Sequence, residues 1–193
     1  MAKGNSERRK KMLVIFLAFI MVSSSIAFIF VGYGSSQNTK VKYGEFTFRQ
    51  RGPQWSTFVD KREAVFTYLP GDVSDINADQ AAIDRLRSKL QIDTTLDENR
   101  TLTQYMALAQ YELSQMLNFH NIYLRSGLTA ANEFNLPVIT CENSTATIPV
   151  LYFKEGNQTR IYAEGNCVIA EASQDFDAAR LKDRLLYGIL GII

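Results

Sequence analysis

Two cysteines, one histidine and a scatter of carboxylates are the residues in this 193-residue chain whose types and spacing most invite a chemical reading. Cys141 and Cys167 fall in the same C-terminal third. Outside the cytoplasm an even pair most simply means a disulfide, and closing that loop removes roughly 3.5 kcal/mol of unfolded-state entropy on the chain-entropy model. A redox-active or metal-binding pair is the competing reading. Catalytic pairs usually stand as Cys-x-x-Cys, and zinc needs more ligands than two thiols and His120, the sole histidine. A hydrolase triad would also have to use His120, and there is no Gly-x-Ser-x-Gly elbow to present a nucleophile. Asp72 with Asp75, or Asp93 with Asp97 and Glu98, could serve as paired carboxylates, but solvated loop acids and helix caps account for them with less effort. No phosphate-binding glycine loop is present. The residues therefore name no catalytic group, cofactor or metal.

Such residues need elements to position them, and the first element is apolar. Residues 12–31 contain no charge, proline or glycine, and as a helix they would extend about 30 Å, the thickness of a bilayer's hydrocarbon core. Ser23, Ser24 and Ser25 are the polar exceptions, and hydroxyls can bond back to the helix carbonyls. Lys3, Arg8, Arg9, Lys10 and Lys11 precede the run, and Lys40 is the first basic residue after it. The positive-inside rule places the N-terminus in the cytoplasm and the rest outside, on a single-pass cell-membrane anchor. A cleaved signal peptide has a shorter apolar region and a small-residue cleavage site.

The expected organisation is a basic tail (1–11), a transmembrane helix (12–33), a short polar tether (34–40) and one extracytoplasmic domain (41–193). About 150 residues suffice for one domain with a real core. A formal net charge of +1 and the absence of an exterior basic stripe argue against nucleic acid. The partners expected are the lipid bilayer and other membrane or envelope proteins. Three Asn-x-Thr sequons, at Asn99, Asn143 and Asn157, would make the exterior domain a glycoprotein where the host has the machinery.

Within the domain, residues 41–69 read as an antiparallel β-meander of three segments, with Arg51-Gly52-Pro53-Gln54 and Asp60-Lys61-Arg62 at the turns. From 63 to 193 the pattern is α/β or α+β. Asn77 looks like a helix N-cap with Gln80 at N3, followed by Ile83, Leu86 and Leu90 at helical spacing. A strand is expected in KLQIDTT. Leu102, Met106, Ala109, Leu113 and Met116 then line one side of a longer helix. HNIYLRS and LPVITC are further strand candidates. TIPVLYF, TRIYA and NCVIAEA read as paired strands, and Ser173 is placed to cap a last helix striped by Ala178, Leu181, Leu185 and Ile189. The apolar end Gly191-Ile192-Ile193 is expected against the core or a partner.

Ile148-Pro149-Val150-Leu151-Tyr152-Phe153-Lys154-Glu155-Gly156-Asn157 resembles the Ile-Pro-Thr stretch that opens the third main strand of the thioredoxin superfamily. The resemblance implies a cis peptide at Pro149 and a thioredoxin-like mixed-sheet sandwich from residue 63 onward. At the place of that family's redox motif stands Leu69-Pro70-Gly71-Asp72-Val73, without cysteine, so thiol–disulfide exchange does not carry over. The layout of basic tail, anchor, meander and cysteine-bearing hairpin is similar to single-pass membrane proteins of archaea. The leading functional expectation is a non-enzymatic module binding or scaffolding envelope proteins. The alternatives are a thioredoxin-fold factor for folding or disulfide chemistry of exported proteins, and an accessory subunit of a larger membrane complex.

Overall fold

A computed structural model describes Met12, residues 14–21 and residues 39–193. The chain divides into two units, Met1–Asn38 and Thr39–Ile193. In the first, Met12 and residues 14–21 are helical, and Val14, Ile15, Phe16 and Phe19 are exposed. Among the described residues no helix is long and apolar enough to cross a membrane. The basic tail, most of the expected span with Ser23 to Ser25, and nearly all of the tether lie outside the described residues.

The second unit is mixed α/β. It opens with four strands, β1 (Lys40–Tyr43), β2 (Phe46–Arg51), β3 (Gln54–Val59) and β4 (Arg62–Phe66), paired in that order as an antiparallel meander. Asp60 and Lys61, at φ 48° and 66°, form the two-residue turn between β3 and β4, whose left-handed backbone matches the twist of a hairpin. That turn commits β4 to the meander. The first strand of the expected thioredoxin order therefore stands in the other sheet, and the strand that precedes the first helix is β5, only Asn77–Ala78. Asn77 is accordingly no cap. Asp79 occupies the N-cap of α1 (Gln80–Leu86).

The remaining elements are β6 (Gln91–Leu96), α2 (Thr103–Phe119), β7 (Tyr123–Ser126), β8 (Val150–Glu155), β9 (Arg160–Glu164), β10 (Cys167–Ala172) and α3 (Asp175–Ile189). The second sheet has the order β5-β9-β10-β8-β6-β7. Strands β10, β8, β6 and β7 run parallel, whereas β9 is antiparallel to β10 and parallel to β5. LPVITC forms no strand. Only Val138 makes a bridge, to Leu128, because Pro137 has no N–H to extend a ladder.

Period-2 alternation sends Ile92, Leu124, Leu151, Phe153, Ile161, Val168 and Ala170 to one face of this sheet, where they join α1, α2 and α3 in the main core. The meander packs its inner face, including Phe48 and Phe66, into the same core. The helix α3 thus lies between two sheets, and ten of its residues, from Asp177 to Ile189, are buried. Three of the ten are charged, Asp177, Lys182 and Asp183, and each is paired or hydrogen-bonded where it is buried. Tyr187 is the centre of α3: the ring stacks on Phe66 at 4.2 Å and meets Phe48 edge-on at 6.0 Å. Its hydroxyl donates to the Tyr68 carbonyl at 2.6 Å. One turn earlier, Asp183 accepts the backbone N–H groups of Thr67 and Tyr68, both at 2.8 Å. These bonds fasten the end of the meander to α3.

The C-terminus is tucked in. Gly191, at φ +73°, donates to Gly188, and Ile192 donates to Tyr187, the paired bonds of a Schellman motif. Ile192, 8 % exposed, closes the core.

Candidate functional site

The second face of the six-stranded sheet carries Asp93, Val150, Tyr152, Cys167, Ile169 and Tyr162, alternate positions of β6, β8, β10 and β9, with Asp97 just past the end of β6. A strap from Gly127 to Pro149 crosses it. Leu128 donates to Pro137 and Ile139 donates back to Leu128, so the strap folds on itself before Ile139 enters a small core with Val150, Cys167 and Ile169. Gly127 lies so close to Pro137 and Ile139 that a side chain there would collide. The disulfide Cys141–Cys167, spanning a sequence separation of 26, ties the strap to β10. Cys167 is fully buried. Ser144 adds a polar stitch, donating to Asn166 at 2.6 Å and accepting from Val150 at 3.0 Å.

Pro149 corrects an expectation. No peptide bond among the described residues is cis, so the Ile148–Pro149 bond is trans. Both neighbouring carbonyls are engaged in that geometry: Ile148 accepts from Thr145 and Pro149 from Asp93, each at 3.0 Å. Nothing offsets the modest intrinsic preference for trans.

The carboxylates are absorbed by structure. Asp97 accepts from Thr129 at 2.7 Å and Tyr152 at 2.8 Å, and pairs with Arg100 at 3.4 Å. Burial pushes the Asp97 carboxyl up, but those three donors outweigh it and hold the group below its ordinary value. The same burial, with the Asp97 charge beside it, keeps the Tyr152 phenol protonated far above its ordinary range. Asp93, 2 % exposed, is bound in a fork by Arg125 and receives Gln91 at 2.9 Å. Asp93 and Asp97 are four residues apart on one strand face, about 13 Å, too far for a carboxylate pair flanking one bond. Asp72 caps Leu69 in its own turn, and Asp75 pairs with Arg180.

His120 lines a hollow of about 310 Å³ with Asp60, Arg87 and Ser88. Burial lowers its pKa, and among the described residues its Nε2 has no hydrogen-bond partner. No hydrogen bond joins Ser88, His120 and Asp60, and the left-handed backbone of Ser88 (φ 61°) is explained by its place just past the end of α1. A larger hollow of about 720 Å³ is lined by Asp84, Arg85, Lys89, Thr145 and Asn166 among others. Its two cations are spent on backbone: Arg85 donates to Gly165 at 2.5 Å and Lys89 to Ala146 at 2.9 Å. Among the described residues no His, Cys, Asp and Glu group could hold a metal ion.

The three sequons sit at exposed positions. Asn99 is in the loop after β6, Asn143 ends the 3-10 turn Cys141–Asn143, and Asn157 is at the β8–β9 turn. Asn143 already uses its side-chain oxygen to accept from Thr140 at 2.8 Å.

One surface escaped the sequence reading. The outward side of α2 presents Leu108, Tyr111 and Phe119, exposed by 56 %, 61 % and 56 %, at helical spacing with Gln115 and Asn118 between them and Gln104 one turn before. The only charge on the helix, Glu112, faces sideways to Lys182 at 3.2 Å. The stripe is present in the sequence, but the inward stripe of the same helix is the stronger periodic signal and masks it.

Comparison with known proteins brings no match: no family model, no curated protein and no solved structure is similar to this chain.

Proposed function

We propose that the chain is a membrane-anchored extracytoplasmic module without catalysis of its own, which binds other envelope proteins along the outward side of α2. One observation carries the reading. The candidate cysteines and carboxylates are engaged in internal bonds and His120 stands apart from any nucleophile, while α2 offers water an uncharged face with three large apolar side chains. Isolated exposed apolar residues are ordinary, but a row of them on one helix face is the usual mark of a docking surface. The apolar run at 12–31 supports the anchor, and the Cys141–Cys167 disulfide suits an oxidising compartment.

The test is site-specific photocrosslinking of the full chain in its native membranes. A photoreactive amino acid at Tyr111 is expected to give a discrete adduct that disappears in a Leu108→Asp background. The same probe at Glu142, on the strap, should give none. Equal adducts from both positions, or a Tyr111 adduct indifferent to Leu108→Asp, would refute the assignment.

A further inference from the structure

We infer that the outer face of the meander is a docking surface for anionic lipid headgroups, holding the domain against the membrane that anchors it; this rests on the anchor reading above. Alternation along the meander sends Phe48 and Phe66 inward to Tyr187 and leaves Lys40, Lys42, Thr47, Arg49, Arg51 and Phe58 pointing away from the core. Lys40 stands directly opposite Arg49 in the β1–β2 register. Like charges facing each other across a strand pair are destabilising. Among the described residues neither makes an ion pair, nor does Lys42; of the two carboxylates beside the face, Glu63 is committed to Arg51 at 3.2 Å and Glu45 borders the hollow lined by Thr47, Arg49 and Phe58. Phe58 projects beside these cations, 58 % exposed.

The occupant follows from charge and chain length. A flat basic face carrying one exposed ring matches a sheet of phosphates over an apolar layer. The polar residues 32–38 are all that separate the apolar run from Thr39, and fully extended they reach at most about 25 Å. β1 is the edge strand that this tether enters, so its cations are confined to the vicinity of the bilayer surface.

The experiment uses the full chain in nanodiscs. Both native cysteines are joined to each other, so Thr47→Cys supplies a single site for a nitroxide label. In discs mixing phosphatidylglycerol with phosphatidylcholine, the label is expected to be shielded from a water-soluble relaxation agent. In phosphatidylcholine alone it should be open. Changing Lys40, Lys42 and Arg49 to Glu together lowers the docked-to-undocked ratio at least about a hundredfold, given a several-fold gain per basic residue near an anionic surface. Raising salt should release the unaltered charges in the same way, which covers the case of a variant that fails to fold. Equal label exposure in both lipid mixtures, with the chain firmly inserted, would overturn this inference and leave the anchor intact. A chain that is stripped from discs by alkaline carbonate would overturn the anchor, and the inference with it.

Discussion

Replacing Asp183 tests whether the meander and the α/β body are held together by two specific hydrogen bonds. The side chain is 0 % exposed. One oxygen accepts both Thr67 and Tyr68 at 2.8 Å, and the other pairs with Lys182 at 2.7 Å. Burial raises the carboxyl's pKa, against the pull of Lys182 and the two N–H groups, so the ion is held at some expense. Asp183→Ala leaves two buried N–H groups without an acceptor and one buried ammonium with a weaker partner. A loss of about 3–5 kcal/mol is expected. Asp183→Asn keeps an acceptor oxygen for both N–H groups, and Lys182 retains Glu112 at 3.2 Å. That variant should lose only about 1–2 kcal/mol. Urea unfolding of the full chain in mild detergent, followed by the single tryptophan, reads both. Trp55 pairs with Phe66 one residue before the junction, so it reports on the joint directly. Equal losses for Ala and Asn would show that N–H acceptance is not what matters, and a loss below about 1 kcal/mol for Ala would refute the joint altogether.

Two further outcomes are expected. Replacing Cys141 and Cys167 together by Ala should lower unfolding stability by about 3.5 kcal/mol on the loop-entropy account, measured by the same urea titration, whereas a change under about 1 kcal/mol would mean the strap is held without its bond. Because Asp97 titrates below its ordinary value when folded, its contribution is present above about pH 4 and fades as pH falls through the lowered folded value. Asp97→Asn should therefore flatten the acid limb of a stability–pH profile, and an unchanged limb would contradict the Thr129–Tyr152–Asp97 cluster.

Local signals in this sequence specify structure where one force acts alone. The Leu102–Met106–Ala109–Leu113 stripe gives α2, the turn residues around Gly156 and Gly165 give the β8–β9–β10 strands, and two cysteines give a disulfide. They mislead where two signals compete. Val65 and Phe66 suit either sheet, and only the left-handed turn at Asp60-Lys61 decides between them. Asn77 has the right side chain to cap a helix, yet its backbone pairs with Arg160, a contact from more than eighty residues away. The Ile-Pro stretch at 148 carries a motif's letters, but the isomer of the bond is set by carbonyl partners that no local window contains. The internal engagement of Asp93, Asp97 and Asp183 was equally hidden, since each depends on a donor distant in sequence.

The placement of α3 between two sheets has a temporal side. Every strand that encloses it is made earlier, so neither layer can finish its apolar interior while the chain is still emerging. Until those final turns arrive, Phe48, Phe66, Leu151 and Val168 lack the surface they pack against. Such half-built layers are the species most prone to stray association. Maturation of both layers is thereby coupled to a single docking event of α3, with Tyr187 as the piece that locks both halves at once.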